Sequence, residues 1–169
     1  LATAALMLAT LVAVSSPSAY AGSKSKVVSF SGHYSGNTSL LINNGVATIS
    51  AVHGKGSGTL VGTSTVTGSG AASASATCDP FQGTGAITGK QATIDLSVLK
   101  SAAQGCSSGQ SGPVTVTISG TARVTGGTGK AAGASGILKF TGSVNLKNTS
   151  GSQTGTFTVT FSGKLSVKG

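Results

Sequence analysis

Near the C-terminus Phe157, Val159, Phe161, Leu165 and Val167 hold the odd positions, while Thr156, Thr158, Thr160, Ser162, Lys164, Ser166 and Lys168 hold the even ones. Successive side chains of an extended strand leave on opposite sides, so this segment has one apolar and one wet face. The same design recurs upstream. Leu138, Phe140, Val144 and Leu146 alternate with Lys139, Thr141, Ser143, Asn145 and Lys147, and Val114, Val116, Ile118, Ala122 and Val124 alternate with Thr115, Thr117, Ser119, Thr121 and Arg123. A period of two sustained over three long segments selects β-strands. Each apolar row also contains a glycine, Gly120, Gly142 or Gly163. Glycine inside such a row is used where a coiled sheet must bend sharply, which favours closure into a barrel over a flat sandwich.

Shorter or noisier strands are expected at Val27–Tyr34, Thr38–Ile42, Val46–Val52, Gly58–Thr67, Ala71–Thr77, Gly85–Thr88 and Gln91–Leu99. Turn signals separate them at Asn43-Asn44-Gly45, Gly126-Gly127-Thr128-Gly129 and Asn148-Thr149-Ser150-Gly151. The stretch 101–112 reads as irregular. The expected fold is all-β, a single antiparallel up-and-down β-barrel of about eight strands over residues 22–169, following an N-terminal signal peptide at 1–21.

That signal reading rests on the apolar run Leu1–Val14, the break at Ser15-Ser16-Pro17-Ser18, and Ala19-Tyr20-Ala21 as an A-x-A cleavage sequence between Ala21 and Gly22. No methionine or basic segment precedes Leu1, so the given sequence is read as starting inside the precursor. The implied location is secreted, periplasmic or in the cell envelope. Cys78 and Cys106 are the two cysteines, spaced for neither a C-x-x-C pair nor a zinc site, and in an exported chain they are expected to form a disulfide. Such a crosslink would add about 3–4 kcal/mol in the chain-entropy description.

Eleven Lys and Arg against two Asp and Glu give a formal charge of +9. So few carboxylates exclude EF-hands and most carboxylate-driven catalysis. Asp95 shares its parity with Thr93 and Ser97 and should face solvent, paired with a cation across the sheet; Asp79, between Cys78 and Pro80, suits a turn. His33 and His53 could act together only if the fold joined them, and they lack a third ligand for an ordinary zinc set. No G-x-S-x-G elbow or phosphate-binding loop occurs, so no catalytic residue, metal or cofactor is assigned. The sequons at Asn37 and Asn148 are expected by chance in a Ser/Thr-rich chain. The cations fall on wet faces or loops. Arg123, Lys139, Lys147, Lys164 and Lys168 are the candidate anion-binding residues, for acidic polysaccharide or another cell-envelope polymer, while scattered cations and few aromatics argue against sequence-specific nucleic-acid binding.

The segment Val124-Thr125-Gly126-Gly127-Thr128-Gly129-Lys130-Ala131-Ala132-Gly133-Ala134-Ser135-Gly136, with the strand Ile137–Leu146 after it, resembles an element of the allene oxide cyclase and dirigent barrel superfamily, in its uncharacterised bacterial exported branch. The likeness covers roughly residues 120–165. Ala131 stands where that family usually has an aromatic residue. The resemblance implies an eight-stranded antiparallel barrel; none of the family's functional positions is matched, so no activity is carried over.

The expected function is that of an exported, non-catalytic basic barrel, a binding or structural module at an anionic cell-surface or extracellular polymer. Alternatives are a cyclase-like or dirigent-like barrel enzyme or small-ligand binder, and an outer-membrane barrel whose apolar rows point outward.

Overall fold

The computed structural model describes residues 24–169; the Ala21/Gly22 cleavage site and the signal segment lie outside them. Nine antiparallel strands follow in order: β1 (Ser25–Asn43), β2 (Val46–Gly58), β3 (Gly62–Ser73), β4 (Cys78–Gly89), β5 (Ala92–Val98), β6 (Ala103–Ser107), β7 (Val114–Gly129), β8 (Ser135–Leu146) and β9 (Gly151–Lys168). Each strand from β1 to β4 pairs with its successor, β7 with β8 and β8 with β9, and β9 returns to β1 through a register running from Ser25↔Lys168 to Ile42↔Gly151. The sheet is a closed ring. Strands β5 and β6 fill one position in it, because both run antiparallel to β4 and to β7, with a single 3-10 turn at Lys100–Ala102 between them. The nine strands therefore occupy eight positions around the wall, in up-and-down order.

The alternating rows fall as the period requires. Phe157, Val159, Phe161, Leu165 and Val167 are buried inside the barrel, and Thr156, Thr158, Thr160, Ser162 and Lys164 are exposed outside it. The β1–β2 connection is a two-residue turn with positive φ at both Asn44 and Gly45, the geometry whose twist matches a hairpin.

Several boundaries differ from the sequence reading, and glycine is the common reason. Val27–Tyr34 and Thr38–Ile42 are parts of one strand, because the inward position between them is Gly36, whose small size hides the alternation. Inward Gly54, Gly56 and Gly58 likewise obscure β2, which continues to Gly58; the turn that follows occupies 59–61, where Gly58–Thr67 reads as strand. Strand β3 ends at Ser73, so the rest of Ala71–Thr77 is turn. The Gly126–Gly129 segment is the end of β7 rather than a turn, paired with Ala92–Asp95. The true connection, 130–134, folds back over Gly127, where a Cβ would collide with the carbonyl oxygens of Ala131 and Thr93. Within the irregular reading of 101–112 lies β6, held by Cys78–Cys106, a disulfide between directly paired residues of β4 and β6.

Candidate functional site

One end of the barrel is plugged and the other is open. At the closed end the inward side chains of Phe30, Tyr34, Ile87, Ile94, Leu138 and Leu165 are almost wholly buried. Val61 from the β2–β3 turn and Ala131 and Ala134 from the β7–β8 connection cap them. Glycines on β2 make room for the large rings, since a Cβ at Gly56 would lie 2.8 Å from Tyr34 and one at Gly54 would lie 2.6 Å from Phe157. A layer of aromatic rings crosses the middle. Tyr34 meets Phe161 edge-on with centroids 6.2 Å apart, Phe161 lies 6.0 Å from Phe140, and Phe140 lies 5.9 Å from Phe81.

Beyond that layer the inward positions of β3 and β4 shrink to Gly68, Gly70, Ala72, Gly83 and Gly85, while β2 brings Ala47, Ile49 and Val52. Because β3 and β4 send almost no side chains inward there, a cavity of about 440 Å³ remains, open at the end where the β1–β2, β3–β4, β6–β7 and β8–β9 connections lie. Its size falls within the range of small-molecule sites. Val66, Leu96, Val116, Val144 and Phe157 supply an apolar wall. Asp79 is the charged residue of the lining, and it is already engaged: its carboxylate accepts hydrogen bonds from the backbone N–H groups of Ser75 and Ala76, both at 2.9 Å, and from the Ser75 hydroxyl at 3.4 Å. Asp79 thus fixes the β3–β4 turn at the rim. Thr38, the buried polar residue of the lining, donates to the Ala51 carbonyl at 3.1 Å. Among the described residues no buried side-chain polar atom lacks a partner.

The structure separates the titratable residues singled out in the sequence. His33 and His53 are both on the outer wall, opposite Ser57 and Asn37 respectively, and His33 shares a hydrogen bond with Thr160 at 3.1 Å. Asp95 is exposed as expected, but the residues directly opposite are Ala86 and Gly126, so the cation predicted across the sheet is not there. Among the described residues no cluster of three His, Cys, Asp or Glu could hold a metal ion. Arg123, Lys139, Lys164 and Lys168 lie on one exterior wall formed by β7, β8 and β9; Arg123 and Lys164 flank Ile137 in one cross-strand row. Lys147 stands apart from them, beside the open mouth after β8.

Beneath the cavity floor, the Tyr34 hydroxyl and Ser64 Oγ lie 3.0 Å apart, and Ser64 donates to the Gly62 carbonyl at 3.0 Å, which leaves its oxygen to accept from Tyr34. Burial raises the Tyr34 pKa above 10.0, and the Ser64 hydrogen bond offsets part of the rise. The folded state therefore favours the neutral phenol. This contribution is complete below pH 10 and is lost as pH rises through the folded value. Tyr34→Phe should cost about 0.5–1.5 kcal/mol at neutral pH and flatten the alkaline fall in stability. Ser64→Ala should cost more, about 1–3 kcal/mol, because it strands a buried hydroxyl. Urea unfolding at pH 7 and at pH 11 measures both; equal costs for the two variants would contradict this arrangement.

The lining escaped sequence reasoning because its defining residues are glycine and alanine. The available signal was their parity: Gly68, Gly70 and Ala72 continue the inward row begun by Ser64 and Val66. Comparison with known protein families, with curated proteins and with solved structures finds no match to this chain.

Proposed function

We propose that the protein is an exported, non-catalytic binding barrel that holds a small, predominantly apolar molecule in its open half. The observation that carries this reading is the cavity above the Phe140–Phe161 layer, cleared by glycine and alanine on β3 and β4 and walled by apolar side chains. Its polar neighbours support binding over turnover: Asp79 and Thr38 are committed to backbone partners, and no histidine lines the space. General acid–base chemistry calls for a titratable group at the reacting atom, and the rest of the polar lining is Ser, Thr and Gln. The superfamily resemblance of the 124–146 segment fits a barrel of this shape and adds no residue to the site.

The exported location accords with the signal-like segment and the disulfide. The exterior of β9 carries Thr156, Thr158, Thr160 and Ser162, where a lipid-facing barrel would carry apolar side chains, and this weighs against the outer-membrane alternative. The cations provide attachment to anionic envelope material rather than the recognition performed inside the cup.

The test uses the neutral fluorophore N-phenyl-1-naphthylamine. Saturable, blue-shifted emission at one site per chain is expected, and Val116→Phe, which projects a ring into open space, should weaken binding about tenfold with little change in melting temperature. Unsaturable emission, or unaltered affinity in Val116→Phe, would remove the reading.

A further inference from the structure

The cations are distributed unevenly along the barrel axis. Lys24 precedes β1, Lys90 sits in the β4–β5 turn, Lys130 opens the β7–β8 connection and Lys168 ends β9, all at the closed end and all exposed. Backbone hydrogen bonds join these segments into one rim: Gly169 N–H to Lys24 O at 2.7 Å, Lys168 N–H to Ala132 O at 2.9 Å, and Lys130 N–H to Gln91 O at 3.0 Å. Exposed Lys26 and Lys164 stand just behind it. Asp79 is at the opposite end beside the mouth, and Asp95, three residues into β5, is the single acidic side chain on the closed half. The barrel is therefore electrostatically polarised, with its cationic pole opposite the cavity opening.

We propose that this closed end docks on an anionic lipid bilayer and holds the cup mouth away from it. Two observations favour a bilayer over a polymer strand. The cations surround an end rather than follow a groove, which suits a planar anionic surface. Val27 and Ile137, 65% and 50% exposed, stand among them on the outer face, paired with Ser166 and Lys164 respectively. Exposed aliphatic groups beside lysines are what an acidic headgroup region accommodates, with the lysines held electrostatically and the aliphatic groups by burial. Docking here does not require the cavity to be filled.

The test compares sedimentation of residues 22–169, which contain the whole closed ring, with phosphatidylcholine vesicles and with vesicles in which about one third of the lipid is phosphatidylglycerol. Binding to the anionic vesicles alone is expected, and it should be lost between about 0.05 M and about 0.5 M salt. Replacing Lys24, Lys90, Lys130 and Lys168 by glutamine should weaken it about tenfold or more, whereas glutamine at Lys55, Lys100, Lys139 and Lys147, removing the same charge, should weaken it less than about threefold. Equal losses in the two variants would reduce the effect to net charge and overturn oriented docking. Retention on dextran sulfate without vesicle binding would assign the surface to a polyanion and overturn it as well, and so would binding to neither.

Discussion

Phe161→Ala should lower the stability of the barrel by about 3–5 kcal/mol, the range for removing a large buried aromatic side chain. Phe161 is 7% exposed and joins the two halves of the interior, with Tyr34 below it and Phe140 beside it. Its removal takes away both ring contacts and lets the open cavity extend toward the Tyr34–Ser64 pair. Chemical unfolding reads the first effect. The second should appear as binding of larger apolar probes than the native protein accepts. A loss under about 1 kcal/mol would mean that the aromatic layer is not a structural floor.

Removing the disulfide should have a comparable effect by another route. Cys78 and Cys106 are 28 residues apart, and closing a loop of that size contributes about 3–4 kcal/mol in the chain-entropy description. Paired replacement by alanine should therefore lower the melting temperature by about 7–14 °C. The damage should be local. Strand β6 is only five residues long and meets β4 through three residue pairs, Cys78↔Cys106 to Pro80↔Gln104, so without the crosslink that side of the mouth is held mainly by β7. Hydrogen exchange should accelerate at Ala103–Ser107 and the facing end of β4, while Tyr34 and Leu165 at the closed end stay protected. Uniform acceleration, or no change at β6, would show that the bond does not guard the rim.

The two losses differ in what they leave behind. Phe161→Ala spares the wall and enlarges the lumen; the cysteine variant spares the lumen's floor and loosens the wall. N-phenyl-1-naphthylamine affinity measured below each melting transition separates them, since only the second variant should lose the probe through a frayed mouth.

The long strands β7, β8 and β9 were legible because their inward positions carry Val, Ile, Leu and Phe, whose alternation with Thr, Ser and Lys has no other reading. The disulfide was legible from the cysteine count together with the expectation of export. Strands β1 to β4 were broken or misplaced at several inward glycines, since a pattern based on hydrophobicity does not register a residue with no side chain. Gly36 split β1 in two in this way, and Gly54, Gly56 and Gly58 blurred the end of β2. The Gly126–Gly129 run misled in the opposite direction. Its composition is that of a turn, yet it continues β7, and its lack of side chains admits the 130–134 connection against the wall.

Residue order alone was enough to establish an all-β chain with one apolar face on its long strands and a cationic surface, and to lead one to expect the two cysteines to be joined. These follow from local alternation and composition. That the interior is filled at one end and empty at the other, and that lysines ring the filled end, emerges from the folded barrel alone. Both depend on which positions of different strands share a level of the barrel, which is set by cross-strand register: Gly70 opposite Gly83 leaves a void, and Lys24 beside Gly169 builds a pole.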